Sequence, residues 1–324
     1  MNLTRRGFMA AGVAATAVAA SGLRAEAADA VARIGYIGDF FGTSMTAVAS
    51  AQKLWSKHGL AANLNRFTNG PIQVEALGAN SLDFGYLGPG ALWLPAMGKA
   101  KVIAINVVGF SDRVIAQAGI KTMTDLKGKK VGVPEGTSGD MLLRLALEKA
   151  GMSLSDIQVV KMDPSTVVAA FASKQIDGAG LWYPLVGIIK KQVPDLVELA
   201  GDEDFYPKTT FPSAFVARNE VVEKKPELVK QMIRVIKDAE DWRAAHPKES
   251  ITITSELLGI PEAQLGEEAK QGKLLTTAEL IKLTKDGTVD GWFRTLNDMF
   301  KTFGRLDNPL DPKEYYMGDL YVAS

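Results

Sequence analysis

The sequence predicts an α/β protein built from two lobes of like construction, and three observations carry that expectation. Strand-like runs alternate with amphipathic helical runs from Arg33 onward, the pattern of parallel strands joined by helices. Residues 74–87, VEALGANSLDFGYL, align without gaps on residues 168–181, VAAFASKQIDGAGL, at an offset of 94 residues. That spacing suggests two α/β lobes rather than a short-period solenoid. Residues 125–151, DLKGKKVGVPEGTSGDMLLRLALEKAG, read as strand, Gly-rich turn and helix in immediate succession.

Taken in order, residues 32–37 form the first expected strand. Residues 43–57 follow as a helix with Met45, Val48, Gln52 and Trp55 on one stripe and Gly59 beyond its end. Residues 64–67 make a second strand, 71–78 a helix with Pro71 at its first position, and 83–87 a third strand. Residues 102–108 are nearly continuous β-branched sequence, as expected of a strand buried on both faces. Residues 129–133 are a β run broken by Pro134 and Gly136, and Thr137 or Ser138 is placed to cap a helix that stops at Gly151. Thr137-x-x-Asp140 also reads as a capping box, in which Asp140 satisfies the helix end locally. The remainder is mostly helical: 224–245, with Leu228, Met232, Val235 and Ile236 on its apolar face, then 275–285 opened by Thr276-x-x-Glu279, then 289–303. The acidic run Asp202-Glu203-Asp204 is expected to be a solvated loop, since calcium loops alternate their ligands.

The first residues point to export. Arg5-Arg6-Gly7-Phe8 precedes an apolar, Ala-rich run, and Ala25-Glu26-Ala27 offers small residues at cleavage spacing, so residues 1–27 resemble a twin-arginine-type signal peptide and place the protein in the periplasm. The apolar run is too short for the roughly 20 residues of a spanning helix. Lys and Arg number 37 against 37 Asp and Glu, without basic runs, which argues against nucleic acid as a partner. There is no cysteine, so disulfides, thiolate nucleophiles and Cys-based metal sites are excluded. His58 and His246, the two histidines, each stand alone at a helix end and read as structural. No metal and no cofactor are expected.

Helix N-termini carry unpaired N–H groups and the positive end of the peptide dipoles, so they attract anions. Four helix starts share one pattern, each following a strand: Gly42-Thr43-Ser44, Asn69-Gly70-Pro71, Gly88-Pro89-Gly90 and Gly136-Thr137-Ser138-Gly139. In a parallel sheet these turns lie on one edge, so two facing lobes would converge them on one cleft. Phe40, Phe41, Tyr86, Trp93, Trp182 and Tyr183 stand near the same turns, and Trp182 is the strongest candidate for ligand contact. Asp39 either caps locally or meets a positive group on a ligand.

The order of these pieces, from RIGYIGDFFGTS through LDFGYLGPG, DLKGKKVGVPEGTSGDMLLRLAL and QIDGAGLWYPLV to FPSAFVARNEVVEKKPELVKQ, resembles periplasmic substrate-binding proteins of ABC importers. The likeness is greatest to the aliphatic sulfonate, taurine and nitrate-binding branch, the NMT1/THI5-like proteins. It implies a type II periplasmic binding protein fold, with two α/β lobes joined by two crossing strands around a central cleft. The crossings fall near residues 113–117 and 213–218, giving one lobe of 28–113 and 216–324 and another of 114–215. The ligand-contacting turns it implies fall on Asn69, Gly70, Gly88, Pro89, Gly90, Thr137, Ser138 and Trp182, and Asp39, Phe41, Thr43, Arg113 and Ser213 are further candidates for ligand contact. In taurine binders the strand matching FPSAFVAR carries an acidic residue for the amine, and here that position is Ser213, a departure from the pattern.

The leading expectation is a monomeric, non-catalytic binding protein that captures a small organic anion, foremost a sulfonate, and delivers it to a permease in the inner membrane. Neutral donors suit a sulfonate because they avoid burying unpaired Arg or Lys. The alternatives are nitrate, a pyrimidine or thiamine precursor, or an aromatic or amine-bearing ligand. An enzyme on this fold would need histidine or cysteine chemistry, and no nucleophile-and-base constellation is present.

Overall fold

The computed structural model describes residues 29–324; the signal peptide expected at 1–27 lies outside them. Strands and helices alternate from the start: β1 (Ala30–Ile37), α1 (Phe40–Ala51), α2 (Leu54–Lys57), β2 (Leu60–Phe67), α3 (Gly70–Gly78), β3 (Phe84–Leu87), α4 (Trp93–Ala96) and β4 (Lys101–Gly109). The helix expected over 43–57 starts earlier and breaks at Lys53, whose φ of 55° leaves the helical region, before α2 resumes. Gly59 then turns the chain at φ 70° into β2.

The chain leaves the first sheet after Gly109 and builds a second from β5 (Asp112–Ala116), β6 (Lys130–Val133), α5 (Ser138–Lys149), β7 (Gln158–Lys161), α6 (Pro164–Ala172), β8 (Gly178–Trp182), α7 (Leu185–Gln192) and β9 (Val197–Gly201). It returns with β10 (Pro212–Ala217) and a helical tail: α8 (Asn219–Lys224), α9 (Pro226–Ala245), α10 (Pro247–Leu258) and α11 (Glu262–Ala269). A short strand β11 (Gly272–Leu274) precedes α12 (Thr277–Lys285), α13 (Thr288–Thr302), α14 (Pro312–Tyr315) and α15 (Gly318–Ala323). The helix expected over 224–245 is α9, opened by Pro226 at N1, and the separate short helix α8 precedes it.

The two sheets have orders β11-β4-β10-β3-β1-β2 and β7-β6-β8-β5-β9. Set side by side, β1, β2 and β3 correspond to β6, β7 and β8, all parallel, while β10 and β5 run antiparallel between them and an edge-side partner, β4 or β9. In each sheet that antiparallel strand is the one that has just crossed from the other lobe. The aligned segments 74–87 and 168–181 are accordingly α3–β3 and α6–β8, equivalent units at the centre of each sheet.

Burial follows the pleat. In β5, Val114 and Ala116 join the apolar cluster that packs beneath α5, whereas Ile115 joins the cluster around Phe171, Val186 and Ile189 on the opposite face. A strand covered on both faces is largely apolar, and β4 keeps Val102 through Val108 at no more than 6% exposure, with Asn106 the one polar side chain, its amide donating to the Phe41 carbonyl at 2.8 Å. The expectation of a solvated loop at Asp202-Glu203-Asp204 holds for Glu203 and Asp204, which are exposed, and fails for Asp202, which is fully buried with its carboxylate accepting the Asp112 N–H at 3.0 Å. The acid closes a hydrogen bond between the two crossings, which outweighs exposure.

Candidate functional site

Strand-to-helix turns from both lobes meet at one cavity of about 50 Å³. The first sheet contributes Asp39 and Phe41 after β1, Asn69 and Gly70 after β2, and Gly88 and Pro89 after β3. The second sheet contributes Thr137 and Ser138 after β6 and Trp182 at the end of β8, and Ser213 on β10 closes the wall. At one water per roughly 10–15 Å³ by this measure, the space suits a ligand of a few heavy atoms. A second chamber of about 160 Å³ shares Ile37, Asp39 and Trp182 with the first and adds Arg66, Thr68 and Ser165.

Close backbone approaches hold this geometry. A Cβ on Gly90 would collide with the Thr137 carbonyl, and one on Gly139 would meet the Gly180 carbonyl at 2.4 Å, so glycine is required for α5 to sit on β8 and for the lobes to touch. Gln73, fully buried on α3, pairs with Tyr86 like a neighbouring strand, its amide donating to the Tyr86 carbonyl at 2.8 Å and accepting the Tyr86 N–H at 3.0 Å. Across the rim, Arg305 pairs with Asp140 and Glu135, and the Trp93 indole donates to the Gly136 carbonyl at 3.4 Å.

The lining is acidic. Asp39, Asp112 and Glu268 face the cavity, and no lysine, arginine or histidine does among the described residues. Burial pushes the Asp39 carboxyl up to about 7, against the opposing pull of the Gly42 N–H and the Trp182 indole, while Asp112 nearby raises it further and Arg66 lowers it. Burial likewise lifts Asp112 to about 6, opposed by Ser138, Asp202 and the Arg113 charge. Asp202 and Glu268 are raised by burial first and by a neighbouring carboxylate second, Asp112 for the former and Asp39 for the latter. Buried carboxyls crowded together resist ionisation until a positive partner arrives. The Asp112 Oδ1 and the Ser213 hydroxyl are buried without a hydrogen-bond partner, so acceptor and donor capacity face the cavity unused.

Several expected contacts stand elsewhere. The Thr43 hydroxyl donates to the Ile37 carbonyl at 2.6 Å, which ties α1 to β1, and Thr43 does not line the cavity. Gly90 is spent on the approach to Thr137 and does not line the cavity. Arg113 also lies outside the lining. Its guanidinium donates to the Phe110 and Asp112 carbonyls, both at 2.7 Å, and to Glu203 and Gln271, both at 2.9 Å, clasping the two crossings. Thr137 does not cap α5 through its hydroxyl, which donates to the Pro134 carbonyl at 2.6 Å. Asp140 accepts the Gly136 N–H at 2.9 Å, one residue before the expected cap, while the Thr137 N–H goes to the Pro134 carbonyl, so the capping box itself does not form.

The donors of α1 are also taken. Phe40 and Phe41 donate their N–H groups to Glu268 at 2.8 and 3.3 Å, and Gly42 donates to Asp39 at 2.6 Å. Glu268 arrives from α11, 228 positions beyond Phe40, with no motif to announce it. Asp112 was the more findable, lying beside Arg113 at the crossing. His58 pairs with Asp238 at 2.8 Å and His246 stacks on Trp242, both away from the cavity. Among the described residues no cluster of three His, Cys, Asp or Glu is arranged to hold a metal ion.

The family model described as NMT1/THI5 like matches residues 41–250. A Brucella abortus (strain 2308) protein that bears only the general name of binding protein is 63% identical over 321 residues, 99% of this chain and all of that one. The taurine-binding periplasmic protein of Escherichia coli K12 is 26% identical, covering 75% of this chain and 80% of its own. Among solved structures, the alkanesulfonate-binding protein of Xanthomonas axonopodis pv. citri bound to MOPS superposes with a TM-score of 0.63 at 23% identity, covering 83% of this chain and 95% of that one. At that identity the likeness concerns the fold.

Proposed function

The chain belongs to the NMT1/THI5-like family, and from that premise we propose that it is the solute-binding component of an ABC importer whose ligand presents an amine or other N–H-bearing group. It works by capture and release, without catalysis. The observation that carries the ligand class is the acidic lining: three carboxylates around a small cavity with no cation facing them. A protonated amine meets these acceptors, restores the charge that burial suppresses and relieves their mutual repulsion. Asn69, Thr137, Ser138 and Ser213 supply neutral polar contacts to the rest of the molecule, and Trp182 and Phe41 supply apolar wall. Export to the periplasm by the leader at 1–27, a monomeric state, and delivery to an inner-membrane permease complete the reading. The two lobes hinge at the chain crossings, with boundaries near 113 and 215.

A second reading keeps a simple alkanesulfonate as ligand. It is favoured by the taurine-binding relative, since taurine carries a sulfonate beside its amine, and by the Ser138 hydroxyl at the start of α5.

The pH dependence of affinity separates the two. Asp39 and Asp112 are raised to about 7 and about 6, so both are increasingly protonated as pH falls below these values. Glu268 and Asp202 add to the same acidic field, while Arg66 and Arg113 oppose it. An amine ligand must ionise the acids to bind, so its affinity strengthens as pH rises from 5.5 to 8; a sulfonate weakens over the same interval. Calorimetric titration with taurine, a primary alkylamine, an aminopyrimidine and ethanesulfonate is the test. Tightest binding by ethanesulfonate, declining as pH rises, would overturn the amine reading.

A further inference from the structure

The N-terminus of α1 is one of the four helix ends that the sequence offers to an anion, with Gly42, Thr43 and Ser44 behind a strand. A dipole end of this kind takes whichever acceptor reaches it. Here the acceptor is internal. Both oxygens of Glu268 receive N–H bonds from α1, at 2.8 Å from Phe40 and 3.3 Å from Phe41, and the residue is 1% exposed. Asp39 takes the next N–H, from Gly42. The same Glu268 lines the cavity, alongside the unpartnered Asp112 Oδ1 and Ser213 hydroxyl.

We propose that Glu268 is a specificity-determining residue: it occupies the anion-binding end of α1 with a carboxyl of the chain itself and so turns that end of the cavity into an acceptor site for N–H-bearing ligands. The proposal rests on the amine reading for its biological use, but its physical content concerns only who fills the α1 donors. A carboxylic acid keeps one full acceptor oxygen, so at least one of these donors stays engaged in either protonation state of Glu268. The segment that delivers Glu268 is held in place independently of any ligand. Leu265 on α11 is fully buried in the first-lobe core, and β11 pairs with β4 through Gly272, Lys273 and Leu274. Gly272 is needed there, since a Cβ would lie 2.7 Å from the Phe41 ring.

The test uses inorganic sulfate as the probe and thermal melting of the whole mature chain as the readout. Glu268→Gln is nearly isosteric and keeps one acceptor oxygen; Glu268→Ala opens the space fully. We expect sulfate at tens of millimolar to raise the Tm of Glu268→Ala by about 3–5 °C more than that of the wild type, as a newly bound ion must by mass action, with Glu268→Gln between the two. In calorimetry at one pH, the ratio of ethanesulfonate to alkylamine affinity rises at least tenfold in Glu268→Gln. Equal sulfate shifts in the wild type and both folded variants overturn the proposal. So does a structure of the wild type soaked in ethanesulfonate with the sulfonate on the Phe40 and Phe41 N–H groups, which needs no variant. Wild-type preference for ethanesulfonate in the calorimetry overturns the amine reading instead, while a variant-specific sulfate response would leave the role of Glu268 standing.

Discussion

One oxygen of Asp39 caps α1 by accepting the Gly42 N–H at 2.6 Å, and the same carboxyl lines both chambers. Capping needs only an acceptor, whereas holding an amine needs charge. Asparagine caps a helix about as well as aspartate, so Asp39→Asn separates the roles. We expect its Tm at acid pH to stay close to the wild type and, at pH 8, its affinity for an amine ligand to fall about tenfold or more, roughly 1.4 kcal/mol and upward, with ethanesulfonate unchanged or tighter. Calorimetry on the two proteins checks this, and equal losses for both ligands would show that Asp39 acts only through the fold. The sequence named Asp39, Trp182 and the hydroxyls of Thr137 and Ser138 because each follows a strand at a turn. It could not name Glu268 or the burial of Asp202, because neither has a local signal.

The elements that carry the site are placed by backbone contact more than by side chains. Helix α5 lies directly on β8, where a Cβ on Gly180 would collide with the Gly139 carbonyl and one on Gly139 would meet Gly180 in return. Gly180→Ala must therefore push the start of α5 away from the sheet. The expected cost is about 1–3 kcal/mol in urea unfolding, within the usual range for overpacking. Because Thr137 and Ser138 ride on that helix start, ligand affinity should drop as well. A variant of unchanged stability would mean that the helix can shift freely. Turn chemistry made this segment legible in the sequence. The short strand β11 was not, since three residues carry no periodicity and its pairing partner, β4, is far away in the chain.

Across the whole molecule, buried acids divide into two groups that oppose each other with pH. Burial alone would raise Asp83, yet the hydrogen bonds and charges of Arg33 and Arg218 hold it down to about 2. Its contribution to stability is present above the ordinary aspartate value of 3.8 and is lost as pH falls through about 2. Asp39 and Asp112 behave oppositely. Their folded values of about 7 and about 6 lie above 3.8, so their contribution is present below 3.8 and is lost as pH rises through 6 and 7. Ligand-free protein should therefore melt highest at about pH 4 and weaken up to about pH 7, with that decline reduced in Asp39→Asn. Melting curves from pH 2 to 9 test it; a maximum at pH 8 would contradict the burial of uncompensated acids.

By itself the sequence determined the alternation of strands and helices, the doubled lobe and the turns that approach a common edge, because periodicity and turn chemistry are local properties of the chain. The 94-residue correspondence proved to be α3–β3 against α6–β8, the same unit at the centre of each sheet. Tertiary structure alone decided the electrical character of the cavity. Helix starts read in isolation promise donors for an anion. Which groups consume those donors depends on side chains that folding brings from distant segments, and here Glu268 and Asp112 arrive as acids where the local sequence offered only N–H groups.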